Sequence, residues 1–184
     1  NTVLQVSGLK DETLVLATGQ TLKGAGIVLG NLTVSKGATV VPGLSEHATL
    51  KVEGDLKFAV GSAASFRIGA KAPANCDQTV VTHNVSLDEP VIQLKAGGLV
   101  PKPGDEFKLI NCRSDTPTTG QVYVRFEGAA SPEGPFAESA VISRNFLGSG
   151  HPARISYQGG DGNDVVISIP GGGTSESKPA MERH

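Results

Sequence analysis

The sequence predicts an all-β chain wound as a β-solenoid, and three observations carry that prediction. Glycine and proline are abundant, with 24 and 11 copies in 184 residues, while the aromatics are limited to six Phe and two Tyr, with no Trp. Between the glycines run brief stretches of Val, Leu, Ile, Thr and Ser that alternate apolar and polar, the period of a strand with one buried face. Third, "GNLTVSKGATV" from Gly30 and "GDLKFAVGSAASF" from Gly54 share the frame G-[N/D]-L-x-[V/F]-x-x-G, both glycines offset by 24 residues. A unit that short cannot enclose its own core. Stacked copies can, because each coil buries the next and the backbones pair in parallel ladders.

Along the chain, "SGLKDETLVL" from Ser7 and "GQTLKGAGIVL" from Gly19 show the same grain ahead of the repeat. Strands are expected at 14–16, 27–29, 50–52, 66–68, 79–82, 91–94, 107–110, 121–126, 155–157 and 164–169. Within a coil, Leu32 and Val34 share one face with Thr33 opposite, and Leu56 and Phe58 flank Lys57 in the same way. No amphipathic helix pattern occurs. At the strand spacing of about 4.8 Å, about seven coils would give a rod a few tens of Å long. The regular repeat runs to about Gly69 and then loosens. Residues 128–152, "GAASPEGPFAESAVISRNFLGSGHP", read as a long excursion or an irregular cap, which would cover strand edges that otherwise invite aggregation. One module over 1–170 is therefore expected, followed by "GGGTSESKPAMERH" over 171–184 as a flexible polar tail or linker.

Charge excludes some partners. The net charge of -2 comes from 16 basic and 18 acidic residues spread along the chain, so there is no overall footprint for nucleic acid or an anionic membrane. No apolar run is long enough to span a bilayer as a helix, and no signal-peptide pattern opens the chain. A first residue of Asn points to a processed protein or an excised fragment. Cys76 and Cys112 leave two readings open, a single disulfide in an oxidising compartment or two buried free thiols.

The stretch "GQTLKGAGIVLGNLTVSKGATVVPGLSEHATLKVEGDLKF" resembles the C-terminal passenger-associated β-strand repeat region of autotransporter passengers and related bacterial surface proteins. Gly24, Gly26, Gly30 and Asn31 lead into a strand, Gly37 follows as a turn, and Pro42, Gly43 and Ser45 form the "PG-S" turn. Downstream come "CDQTVVTHNVSL", "LVPKPGDEFKLIN" and "ISYQGGDGNDVVISI" in the order seen in that family, so the resemblance spans about residues 19–169. It implies a single-stranded right-handed parallel β-helix with a less regular C-terminal cap, secreted or displayed on a bacterial surface. Cys76 and Cys112 stand outside the family pattern. No membrane β-barrel follows, so either it has been cut away or export and anchoring proceed differently.

Candidate chemistry is thin. Gly159 to Ile167 fits the calcium nonapeptide G-G-x-G-x-D-x-U-x, with Asp161, Asn163 and Asp164 as candidate ligands. Calcium wants six to eight oxygens shared between stacked copies, and here there is one copy, so the stretch reads better as a tight Asp-Gly turn between "RISY" and "DVVISI". Asp55, Asp77, Asp88, Glu89, Asp105 and Glu106 supply the acids a glycosidase or lyase would need, but they sit mostly in turns. His47, His83, His151 and His184 are isolated from one another and from Cys at ligand spacing. "GAGIVLG" lacks the Lys-Ser/Thr of a phosphate loop, and no catalytic set or cofactor motif stands out. Asn31 and Asn84 head glycosylation sequons that matter only in a eukaryotic secretory pathway.

The expected function is structural and non-catalytic: a stalk, spacer or assembly element of a secreted or cell-surface bacterial protein. Its partners would be a second copy or other surface proteins, with no nucleic acid and no membrane insertion. Two alternatives remain open, a self-associating fibre or surface-layer subunit, and a carbohydrate-binding or carbohydrate-cleaving β-helix.

Overall fold

The computed structural model describes residues 2–43, 47–69, 76–98 and 100–171, so all but the first residue of the expected tail lies outside the described residues. The chain is all-β and winds into a solenoid of about four turns. The first layer consists of β1 (Val3–Gln5), β2 (Thr13–Leu16) and β3 (Thr21–Lys23). The second holds β4 (Gly26–Leu29), β5 (Asn31–Val34) and β6 (Thr39–Val41), and the third β7 (Thr49–Val52), β8 (Leu56–Phe58) and β9 (Ala63–Ile68). In the fourth, β10 (Gln78–Val81) is followed by the long β11 (Val85–Ala96), and the fifth comprises β12 (Glu106–Cys112) and β13 (Thr119–Phe126).

Equivalent strands stack in parallel register. One ladder runs β1-β4-β7-β10-β12. A second runs β2-β5-β8 into the first half of β11, and a third runs β3-β6-β9 into its second half, with β13 covering both halves. Each of the ten stretches expected as strand contributes to one of these elements or to the cap described below.

The repeat in the sequence is the register of the stack. Leu32 pairs with Leu56 and Val34 with Phe58, an offset of 24 residues, and all four are buried. Gly37 donates its N–H to the carbonyl of Gly61 at 2.9 Å. The first glycine of the frame is steric: a Cβ on Gly54 would lie 2.5 Å from the carbonyl of Gly30 beneath it, so the corner closes only without a side chain. The [N/D] position is a polar ladder. Asn31 Oδ1 accepts the Asp55 N–H at 2.9 Å, and Asp55 Oδ1 accepts both the backbone and side-chain N–H of Asn84 at 2.9 Å. Both sequon asparagines are thus spent on stacking.

The expectation of about seven coils is corrected to about four turns. Each turn takes three strand segments, and the register offset grows from 24 residues (Ile27 to Lys51) to 31 (Thr79 to Ile110) and 33 (Ser86 to Thr119). Residues after β13 leave the solenoid path altogether. They form β14 (Glu133–Phe136), β15 (Val141–Ser143), β16 (Ala153–Gly159) and β17 (Asp164–Ser168), paired antiparallel. β14 lies along β13 and β17 along β12, which covers the outgoing edges of the ladders. Phe146 is fully buried below them, its ring 6.1 Å from Phe107 and 5.9 Å from Phe126, and it closes the end of the core. At the opposite end β1, β2 and β3 are edge strands, with Val3, Leu4 and Val15 at 52%, 41% and 54% exposure.

Candidate functional site

The polar chemistry of the described residues concentrates where the last hairpin, β16 to β17, meets the final coil. "GGDG" makes the turn. The N–H of Gly162 donates to the carbonyl of Gly159 at 2.9 Å, and Gly160 and Gly162 take positive φ of 59° and 110°. Gly160 is needed twice over, since a Cβ there would also collide with the Asp164 carboxylate and the Lys108 ammonium.

The three calcium candidates part company at this turn. Asp161 is exposed, whereas Asn163 and Asp164 are buried. The Asp164 carboxylate accepts the N–H of Cys112 through Oδ1 at 2.9 Å and faces Lys108 Nζ through Oδ2. Oδ2 and the Lys108 ammonium form an ion pair. The chain therefore supplies its own cation where a calcium ligand would face one. Asn163 donates its amide to Ser114 O, and its own carbonyl accepts the Thr118 hydroxyl at 2.5 Å. Among the described residues no three of His, Cys, Asp and Glu gather in a metal-holding group.

A second tie joins the same hairpin to β13 and β14, and no local pattern in the sequence points to it. Tyr157 is buried; its hydroxyl donates to the Phe136 carbonyl at 2.7 Å and accepts the Val122 N–H at 3.1 Å, bridging β14 and β13. Burial pushes its phenol up to about 12, the Val122 hydrogen bond works against this, and the Glu138 carboxylate adds to it. Glu138 in turn accepts the Tyr157 N–H at 2.6 Å and the Ser156 hydroxyl at 2.7 Å.

The remaining candidates are dispersed. Asp77 is buried, accepting the N–H groups of Arg67 at 2.9 Å and Ala48 at 3.2 Å, and His47 Nδ1 lies 3.6 Å away. Asp55 belongs to the corner ladder, and Asp105 accepts the Lys102 N–H at 2.7 Å within its own turn. Asp88 and Glu89 are exposed at the bulge of β11, and Glu106 is exposed on β12. His83 is exposed and His151 half-buried, while His184 lies outside the described residues.

Cys76 and Cys112 are both buried and both free, so the disulfide reading gives way to that of two thiols. Register explains it. Cys112 pairs with Val81, and Cys76 precedes Val81 by five residues, about 16 Å of extended chain against the roughly 6 Å a disulfide allows. Cys76 Sγ donates to the Lys108 carbonyl at 3.4 Å and Cys112 Sγ to the His83 carbonyl at 3.1 Å. Burial, with the neighbouring Asp77 charge, pushes the Cys76 thiol up to about 12 and keeps it protonated and unreactive at neutral pH. No family model and no curated protein matches this chain.

Proposed function

We propose that this chain is a structural, non-catalytic β-solenoid module of a secreted or cell-surface bacterial protein, serving as a stalk, spacer or assembly element. One observation carries the reading: polar side chains at the coil corners and under the cap are engaged in joining one coil to the next. Asn31, Asp55 and Asn84 tie coil to coil, Asp77 ties β7 to β9, and Asp164, Lys108, Asn163 and Tyr157 tie the cap to the last coil. A site poised for turnover keeps reactive groups grouped and addressable in a cleft. Here they are separated and engaged. In-register ladders give stiffness along the stacking axis, and the antiparallel cap ends the stack and templates coil formation from the C-terminal side. The parallel stacked coils support the β-helix that the resemblance implies.

The test is display. The chain is fused ahead of an outer-membrane transporter barrel, and its protease accessibility on intact bacteria is measured. The expected result is a surface-exposed, protease-resistant module whose display falls when Asp164→Ala loosens the cap. Retention in the periplasm, or equal display of the variant, would overturn the reading.

The open end favours a second reading, self-association. Three edge strands lie side by side there with Val3, Leu4 and Val15 exposed, while the other end is capped. Pairing of these edges with those of a second copy would join two N-terminal coils head to head. Sedimentation at increasing concentration should then plateau at dimer; continued growth, or a monomer throughout, would refute this form of the idea.

A further inference from the structure

The outer face of the third ladder carries a pattern that neither stacking nor capping explains. Its registers set Lys23 beside Val41, Gln93 beside Ser65 and Arg125, Lys95 beside Arg67, and Tyr123 beside Val91. Two shallow hollows adjoin on this face. Lys23, Arg67 and Lys95 line one, Gln93, Lys95 and Arg125 line the other, and Lys95 is common to both. Among the described residues Lys23, Lys95 and Arg125 make no ion pair, in contrast to Lys51 and Lys108, which are paired with Glu53 and Asp164. Among the described residues, two acids reach the hollows: Asp77, buried and bonded to backbone N–H groups, and exposed Glu127. A protein of net charge -2 thus gathers Lys23, Lys95 and Arg125, unpaired among the described residues, along one sheet face.

We propose that this face binds a linear anionic glycan, carboxylate- or sulfate-bearing, laid along the solenoid axis. From β3 to β13 the ladder rises four strand spacings, about 19 Å, so the cations meet successive charges of an extended polymer. Half-buried Tyr123 offers a ring face for a pyranose, and half-buried Gln93 offers a neutral hydrogen-bonding group for its hydroxyls. Charge complementarity selects a polyanion. Its kind follows from what else the face presents. None of the large exposed hydrophobic side chains lies on β3, β6, β9, β11 or β13, so a lipid surface finds no apolar anchor. The cations are few and the chain is acidic overall, unlike the broad basic footprint that grips phosphate backbones. The inference is independent of the stalk reading, since a spacer can be decorated or bare.

The test is calorimetric titration of the whole chain at low ionic strength with polygalacturonate oligomers and dextran sulfate, using neutral dextran as the uncharged comparison. Binding to at least one anionic glycan and none to dextran is expected, fading as salt rises because exposed charges are screened. The triple variant Lys23→Gln/Lys95→Gln/Arg125→Gln should weaken it by about tenfold or more, whereas Lys57→Gln on β8 should leave it unchanged. Tyr123→Leu should weaken glycan binding at unchanged salt dependence. Circular dichroism of each variant establishes that it is folded. Absence of binding to both anionic glycans, an undiminished triple variant, or tighter binding to phosphatidylserine vesicles or an oligothymidylate than to either glycan would overturn the proposal.

Discussion

The last and the first coil of this chain meet their strand edges differently. At the C-terminal end two strands are turned antiparallel against the last coil, a phenylalanine is driven into the end of the core, and every buried charge is matched. At the N-terminal end the first coil leaves three short edges and several apolar side chains in solvent. Their sequences are built differently as well. Early coils rely on a repeating frame that places glycine under glycine and an amide over a carboxylate, so neighbouring coils stabilise each other at many equal, small contacts. The cap relies on a few unequal ones. A repeated ladder tolerates local loss, whereas a cap fails when its anchor is removed.

The contrast is sharpest in a pair of substitutions. Phe146→Ala empties a fully buried ring site between Phe107 and Phe126 and should cost about 3–5 kcal/mol in denaturant unfolding. Val15→Thr at the exposed edge should stay within about 0.5 kcal/mol of the parent. Similar losses at both sites would erase the distinction between the ends.

Next comes the buried anchor. Asp164→Ala leaves the Cys112 N–H and the Lys108 ammonium without their acceptor and should cost about 3 kcal/mol. Asp164→Asn, which retains an oxygen for Cys112, should cost less. If the alanine variant is as stable as the parent, the anchor is ornamental.

A smaller effect belongs to Tyr157. Tyr157→Phe strips one donor and one acceptor from the bridge between β13 and β14, worth about 1–2 kcal/mol by thermal or chemical unfolding. The phenol and the Cys76 thiol both have raised folded pKa values of about 12, so the fold favours their neutral forms. In the unfolded chain they ionise nearer 10 and 9, and unfolded protein therefore binds fewer protons between those values and 12. Stability should be full below about pH 9 and fall as pH rises towards about 12. Phenolate absorbance followed across that range reads the event, and Tyr157→Phe should flatten part of the slope.

How legible this was depends on the kind of contact. Alternation exposed the inward residues Leu32, Val34, Leu56 and Phe58, and the 24-residue glycine spacing is the register itself. Beyond Gly69 the coil lengthens by a few residues per turn, and with no fixed period left the number of coils cannot be counted from spacing. β14 and β15 escaped because they are short, and β14 carries Gly134 and Pro135, which read as loop in an isolated sequence. The "GGDG" turn was readable from its glycines. Its partner Lys108 lies 56 positions before Asp164, and nothing local to either residue announces the pair.

The smallest expected effect is none at all. With Lys108 occupying the charge partner position of Asp164, a strong chelator should leave the unfolding temperature unchanged, and a clear drop would restore calcium to the hairpin.

Hydrogen exchange followed by mass spectrometry over the native chain tests the capped-solenoid account most directly, because it ranks every ladder by opening free energy in one experiment. Exchange should be slowest in β12, β16 and β17, intermediate through the repeated coils, and fastest in β1, β2 and β3. Uniform protection along the stack, or a first coil that outlasts the cap, would contradict it.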